Sequence, residues 1–156
     1  MAKTDFLTEQ QIIFNTSKKF EDVYIKLNDI ADIKYQELFI LCATIGFKNN
    51  RSNKVEKKGR ELRSAYLNSD QKSSAYSIIL NENNIGKNIE KFEEKEFVFL
   101  AKKTLEEYAE GGMELLIKEA FPTKFNFEDE KLELRYDEYI IDIMSYVYRE
   151  STEVPF

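Results

Sequence analysis

Apolar residues recur at helical spacing along most of the chain. Near the N-terminus, after Thr16 or Ser17 as a cap, five of them follow the spacing of one buried helical stripe: Phe20, Val23, Tyr24, Leu27 and Ile30. A second stretch, residues 35–47, is apolar nearly all round. Its 13 residues exceed a typical strand, so it predicts a central helix that ends near Gly46. A third helix is predicted over residues 69–80.

The last apolar pattern spans residues 132–147. Its spacing predicts another buried helical stripe: Leu132, Tyr136, Ile140, Ile143, Met144 and Val147. Residues 132–136 also alternate as a strand would, so the pattern does not fix the first residue of this helix to better than several positions. At the other end of the chain, the run Ile12-Ile13-Phe14 fits either a strand or part of a helix, and the pattern does not choose between them.

Residues 93–120 contain the pair Gly111-Gly112, and helical phase indicates whether it breaks a helix. At about 100° per residue, the apolar positions on both sides of the pair fall within an arc of about 120°: Phe97, Val98, Ala101, Leu105, Tyr108, Ala109, Gly112, Leu115 and Leu116. A break would scramble this register. We therefore predict one helix that continues through both glycines and ends at Phe121-Pro122.

The glycine pair has two interpretations. A phosphate-binding loop needs glycines at a junction of strand and helix, whereas these lie inside a predicted helix. We therefore assign Tyr108, Gly111 and Gly112 to close helix packing or to a protein interface. Gly112 lies on the apolar face, where its missing side chain lets another helix approach closely.

Composition agrees with a helical fold. The 156 residues include only five glycines and two prolines, and helix-forming residues are abundant. The predicted class is all-α, a single-domain bundle of about five helices over residues 1–156, with a short strand or irregular segment near the N-terminus as an open alternative there. Residues 1–15 and 150–156 are placed in peripheral or mobile ends.

The residue types that are absent exclude several kinds of chemistry. The chain has no histidine and one cysteine, Cys42, which excludes Ser-His and Cys-His nucleophiles and the familiar zinc sites. The acidic cluster at residues 90–96 has residue types found in metal-dependent nucleases. Acids at the start of a helix also favour its dipole, and we interpret the cluster in that way. We predict no catalytic residue, metal site or cofactor, and no enzymatic activity.

The sequence also predicts a cytoplasmic protein without membrane contact. No stretch approaches the roughly 20 apolar residues of a membrane span, and residues 1–5 lack the pattern of a signal peptide. A single cysteine cannot form an intramolecular disulfide. The oligomeric state is left open.

The charge distribution singles out residues 48–63, here called the basic segment. It has seven lysines and arginines against Glu56 and Glu61, a net charge of +5 in a chain of −6, so the other residues carry −11. Cations and amides suit phosphate oxygens, and the segment supplies nine candidate nucleic-acid-binding residues: Lys48, Asn49, Asn50, Arg51, Lys54, Lys57, Lys58, Arg60 and Arg63. A solvated loop that balances acidic helices, or a contact with an acidic protein, are the alternatives. Because the rest of the chain repels nucleic acid, only a locally segregated patch can bind it.

Two stretches carry a family resemblance, residues 37–51 and residues 105–116. They resemble the small helical proteins encoded beside bacterial DNA phosphorothioation (dnd) genes, the fourth of the dnd-system-associated families. The matching positions are Gly46, Lys48, Asn49, Arg51, Tyr108, Gly111 and Gly112, with Met113 where leucine is commoner in that family. The resemblance implies a setting in DNA modification, restriction and phage defence, and it supplies no catalytic residues.

Two functional hypotheses follow. The first is a non-catalytic accessory protein of a phosphorothioation-type defence system, which binds other proteins of that system and has DNA as a further candidate partner through the basic segment. The second is a helical protein–protein adaptor or oligomerisation module without a nucleic-acid role.

Overall fold

The computed structural model describes Leu7 and residues 11–82 and 94–152. Five α-helices lie in these residues: α1 (Glu21–Ala31), α2 (Tyr35–Lys48), α3 (Ser69–Asn81), α4 (Glu94–Ala120) and α5 (Tyr139–Thr152). Two antiparallel sheets of two strands each accompany them: β1 (Ile13–Ser17) with β2 (Lys58–Arg63), and β3 (Phe125–Asn126) with β4 (Lys131–Leu132). Short 3-10 turns, Lys18–Phe20 and Ser64–Tyr66, follow β1 and β2.

The prediction of a predominantly helical fold with about five helices is confirmed, but a strictly all-α class is not. The run around Ile13 is a strand, and the second half of the basic segment is its partner. Phe14 pairs with Leu62 across this sheet, and both side chains are buried in the core. A strand whose partner is so distant in sequence leaves little local pattern, which is why β2 was not predicted.

The core forms around α4, and α2 packs along it. Buried side chains on α4 include Phe97 and Leu105, and those on α2 include Leu38 and Phe39. The prediction that one helix continues through both glycines is confirmed, because α4 has no interruption there.

Glycines let α2 and α4 touch backbone to backbone. A Cβ atom on Gly112 would lie 1.7 Å from the Cys42 carbonyl oxygen of α2, and one on Gly46 would lie 2.1 Å from the Tyr108 carbonyl oxygen of α4. Each helix therefore lacks a side chain where it meets the other. The close approach brings many flanking atoms of α2 and α4 into van der Waals contact. This attraction offsets the roughly 1 kcal/mol by which each glycine destabilises a helix relative to alanine.

The last helix begins at Tyr139, and Leu132 lies in a strand, so of the two interpretations that the sequence left open the strand is the correct one at Leu132. Leu132 lies in β4, where its N–H donates to Asp22 Oδ2 at 2.8 Å and its carbonyl accepts from Lys26 Nζ at 3.0 Å. Asp22 and Lys26 also form an i,i+4 ion pair on α1, 3.0 Å apart. Because α1 binds both backbone groups of Leu132, neither is available to a helix.

The buried face of α5 also differs from the prediction. Tyr139, Ile143 and Tyr146 are buried, whereas Ile140 and Met144, predicted as core, are exposed. The Tyr139 hydroxyl donates to the Glu133 carbonyl at 2.6 Å. Because its hydroxyl is hydrogen-bonded, Tyr139 can face the core. Tyrosines therefore supply part of the buried face of α5, which the apolar spacing had assigned mainly to aliphatic residues.

Some residues of the predicted ends contact the rest of the chain. Phe14 is fully buried, with its ring centroid 5.1 Å from that of Phe39, and Glu150 Oε1 accepts a hydrogen bond from Asn49 at the end of α2. The rest of the predicted ends, residues 1–6, 8–10 and 153–156, lie outside the described residues, as do residues 90–93 of the acidic cluster.

Candidate nucleic-acid interface

The basic segment leaves the end of α2 and crosses α4 as irregular main chain before it enters β2. The Arg51 N–H donates to the Gly46 carbonyl at 2.8 Å, and the Asn53 N–H donates to the Glu107 carbonyl of α4 at 3.0 Å. A Cβ atom on Gly111 would lie 2.4 Å from the Arg51 carbonyl oxygen. The segment therefore lies directly on α4 because Gly111 has no side chain.

The adjacent glycines serve two different contacts within the chain. Gly112 receives α2, and Gly111 receives the basic segment. Tyr108, assigned together with them, places its ring edge-on to Phe47 at a centroid distance of 5.5 Å, and its hydroxyl donates to Glu82 Oε2 at 2.6 Å. Burial and this hydrogen bond raise the pKa of Tyr108 to about 12. Both glycines are buried against the chain itself, so close packing accounts for them without a protein partner.

The first residues of the basic segment are engaged in internal contacts. Lys48 Nζ donates to the Glu150 carbonyl at 2.6 Å, and Asn49 Nδ2 donates to Glu150 Oε1 and to the Ile45 carbonyl, both at 2.9 Å. A cation at the last carbonyls of α5 is also favoured by the helix dipole. Asn50 has a φ of 54°, a conformation that asparagine tolerates in turns. Lys48 and Asn49 therefore connect α2 with α5, and Asn50 lies in the turn that follows α2.

Apart from Lys57, which lines a cavity, and Arg60, which stacks on an aromatic ring, four cations of the basic segment are exposed without an ion pair to any described carboxylate: Arg51, Lys54, Lys58 and Arg63. The three ion pairs of the described chain all join i,i+4 neighbours on α1 and α4. Arg60 is also exposed and stacks over the ring of Tyr35, with 4.0 Å between its Cζ and the ring centroid. These unpaired groups keep their charge available for an outside anion.

Strand geometry divides the cations of β2 between two faces. Side chains alternate along a strand and cross-strand partners share a face, so Arg60 lies on the face of buried Leu62, whereas Arg63 lies with Glu61 on the opposite face. A register shift between Asn15 and Ser17 interrupts the alternation, and Lys58, the partner of Ser17, lies on the face of Glu61. The nine candidates therefore do not all lie on one surface, as they could have done in a solvated loop. Lys57, which precedes the strand, lines a cavity described below.

A second surface on the outer side of α5 was not recognised as exposed from the sequence. Five apolar residues form this α5 stripe: Ile140, Ile141, Met144, Val147 and Tyr148. At about 100° per residue they fall within an arc of about 120° that contains no charged residue. Met144 is 65% exposed and Tyr148 is 70% exposed. The apolar spacing was visible in the sequence, but the side that faces the core was not.

Ser17 and Glu110 are two polar residues that the sequence did not single out, and both are buried. They line a cavity between the end of β1, the basic segment and α4. Helical phase places Glu110 opposite the apolar arc of α4, a position that is usually solvated. The elements packed over this side of α4 bury it, and no local pattern could have indicated that.

The described residues also limit which reactive or metal-binding groups they can provide. Burial raises the pKa of the Cys42 thiol well above its usual range, so the thiol stays protonated and unreactive. In residues 11–82 and 94–152, no acidic or cysteine side chains group in a way that could hold a metal ion, and no helix there is both long and apolar enough to cross a membrane. Comparison with protein-family models, curated proteins and solved structures finds no match for this chain.

Proposed function

We propose that this protein is a non-catalytic accessory protein of a bacterial DNA-modification and phage-defence system of the phosphorothioation type. In this proposal it acts in the cytoplasm, beside other proteins of that system, and binds the DNA backbone through the basic segment. The observation that carries the DNA-binding role is a set of four exposed cations that have no acidic partner in the described chain and that, unlike Lys57 and Arg60, neither line a cavity nor stack on an aromatic ring: Arg51, Lys54, Lys58 and Arg63. The resemblance of residues 37–51 and 105–116 supports the setting.

The expected mode of binding is contact with phosphates and not with bases. Lysine and arginine neutralise phosphate oxygens without reading sequence, and aromatic residues for base stacking are scarce around the segment. If the four exposed cations each neutralise one phosphate, log K falls with log salt at a slope of about −3.6. The acidic remainder of the chain is screened beyond a Debye length of about 8 Å at physiological salt, so it weakens the approach of DNA more than the contact itself.

Alanine at both Lys54 and Lys58 is expected to weaken binding to duplex DNA at low salt and to reduce the salt slope from about −3.6 to about −1.8, because two phosphate contacts are lost. Fluorescence anisotropy with a labelled duplex, at several concentrations between about 50 and 200 mM salt, measures both quantities. The matched control replaces Lys95 and Arg135 with alanine. Both residues are exposed and have no ion pair in the described helices and turns.

Because both double variants change the net charge equally, only a local contact distinguishes them. Equal weakening by the two variants, or no binding of the unaltered protein at low salt, would remove the DNA-binding role. The setting is tested separately by the genes adjacent to this one. A position beside sulfur-modification genes would support it, and a housekeeping neighbourhood would contradict it.

A second candidate function is oligomerisation through the α5 stripe, with a second copy of the chain as the occupant. The stripe has no charged side chain, so two stripes can pack together without burying an unpaired charge. A twofold contact uses the same patch on both copies, and this patch is compatible with itself. Contiguous exposed apolar surface of this kind is typical of interfaces.

Lysine at Met144 is expected to convert a dimer to a monomer, because it places a charge at the centre of the apolar contact. Light scattering coupled to size exclusion measures the mass of the assembly. The control introduces the same lysine at Ser145, the next residue of α5, which is exposed outside the stripe. A dimer that survives Met144→Lys, or an unaltered chain that is monomeric, would exclude oligomerisation through this face.

A further inference from the structure

A polar cavity lies where the end of β1, the basic segment, α4 and the turn between β3 and β4 meet. Its volume is about 480 Å³, within the range of roughly 300–1,000 Å³ that small-molecule sites occupy. Three lysines and three glutamates surround Ser17 in its wall: Lys18, Lys19, Lys57, Glu56, Glu110 and Glu130. The cavity wall therefore contains equal numbers of positively and negatively charged side chains.

Ser17 is a buried polar residue of this wall whose hydroxyl forms no hydrogen bond of normal geometry in the described chain. Its side chain is only 2% exposed. The backbone around it is fixed, since the Lys18 N–H donates to the Lys57 carbonyl at 2.8 Å. Nearly all buried polar atoms are hydrogen-bonded. The Glu110 carboxyl interacts with this hydroxyl, but without normal hydrogen-bond geometry, so the two groups together retain capacity for a further donor.

Glu110 is the second buried polar residue in the wall, with an exposed fraction of 8%. The acids one turn before and after it on α4 have cationic partners. Glu106 pairs with Lys102 at 3.0 Å, and Glu114 pairs with Lys118 at 2.8 Å. Glu110 has no ion pair within the described residues, and its position in the middle of a long helix makes it a fixed acceptor for an N–H donor.

The cations lie nearer to solvent than these two groups. Lys18 and Lys57 are exposed and Lys19 is half-buried, and none of the three forms an ion pair in the described chain. The Nζ atom of Lys19 lies 5.2 Å from the ring centroid of Phe20. Ser17 and Glu110 therefore occupy the inner part of the cavity. The three ammonium groups surround its mouth together with the exposed carboxylate of Glu56 and the half-buried one of Glu130.

We infer that this cavity binds a small zwitterionic molecule, whose N–H donor head reaches Ser17 and Glu110 and whose phosphate or carboxylate group binds the lysines at the mouth. The ammonium groups disfavour a metal ion, and the described lining includes no aromatic ring on which a nucleobase could stack. This site goes beyond the proposed function and does not depend on it, because its two innermost residues lie outside the basic segment.

Three probes separate the contributions of the two ends of such a ligand. Phosphoethanolamine has both an N–H donor head and a phosphate, phosphocholine has the same charges without an N–H, and inorganic phosphate has no head. In an NMR titration of the labelled full chain, phosphoethanolamine is expected to shift the amides of Ser17 and Glu110. Phosphocholine and inorganic phosphate are expected to bind at least about tenfold more weakly, since neither satisfies the buried acceptors.

At about pH 8, above the raised pKa of Glu110, Glu110→Gln is expected to weaken phosphoethanolamine binding about tenfold, and Ser17→Ala by a smaller factor, because a charged acceptor contributes more than a hydroxyl. Ser17→Ala removes a hydroxyl that forms no hydrogen bond of normal geometry with any described residue, so this variant keeps its fold. The control is Glu128→Gln, an exposed acid on the turn between β3 and β4. DNA binding is expected to be the same in all three variants, which separates this site from the proposed function.

Equal binding of the three probes, or unchanged affinity in Glu110→Gln, would mean that the lysines merely attract phosphate and would overturn the inference. No binding of phosphoethanolamine would overturn it as well. Selective binding that depends on both Glu110 and Ser17 would establish the site.

Discussion

Gly112→Ala is expected to destabilise the protein by about 4 kcal/mol or more, which is a large fraction of the roughly 5–15 kcal/mol that stabilises an ordinary domain. In an isolated helix this change would stabilise by about 1 kcal/mol. Here the added Cβ atom would lie 1.7 Å from the Cys42 carbonyl oxygen. Both partners of that clash are helix backbone, so neither can move without separating α2 from α4. Urea unfolding measures the loss.

The matched comparison is Gly111→Ala, one residue earlier on the same helix. Its Cβ atom would lie 2.4 Å from the Arg51 carbonyl oxygen, but Arg51 belongs to irregular chain that can shift. We expect a smaller loss of about 1–3 kcal/mol at this position. If the two variants lost equal stability, or if Gly112→Ala were stabilising, the backbone contact of α2 and α4 would not be the reason for these glycines.

The stability of the protein is expected to fall by up to about 3 kcal/mol as the pH rises from about 4.5 to 7, because of Glu110. Burial raises the pKa of this carboxyl to about 7, against smaller opposing effects of Ser17 and Lys19. The carboxyl therefore prefers to be protonated in the folded state. Its favourable contribution is complete below the ordinary pKa of a glutamate and is lost as the pH passes the raised value.

Glu110→Gln tests this dependence, since glutamine cannot titrate. Relative to the unaltered protein, the variant should gain stability as the pH rises from 5 to 8. Glu114→Gln provides a contrast, because the hydrogen bond from Lys118 lowers the pKa of Glu114. That variant should lose an interaction that is present throughout this pH range, with no change of slope. Chemical unfolding at several pH values compares the three proteins, and parallel curves for all of them would contradict the assignment to Glu110.

The helices were largely predictable because their pattern is local. In α4, the apolar positions keep one phase across Gly111 and Gly112, and this continuity is a property of 27 consecutive residues. The same reasoning failed at α5, where Tyr139 and Tyr146 take the inward side. Periodicity shows that a helix is amphipathic but does not identify the core side when apolar residues occupy more than half of its circumference.

The candidate sites were less predictable for a related reason. The excess of cations in residues 48–63 is visible in the sequence, but their division between two strand faces depends on pairing with β1. The engagement of Lys48 by Glu150 depends on how α5 packs at the end of α2. Composition thus identified the residues of the basic segment, and long-range contacts decided which of them remain free.

By itself, the sequence determined a chain of amphipathic helices with one cationic stretch and no histidine, because spacing and composition are properties of neighbouring residues. Only the tertiary structure decided that Gly111 and Gly112 receive two different parts of the chain, that the α5 stripe faces outward, and that Glu110 and Ser17 are buried in a cavity wall. Burial is set by elements that lie far apart in sequence and pack together. A residue such as Glu110 therefore looks solvated in its own helix and becomes an enclosed acceptor only when β1 and the basic segment are in place.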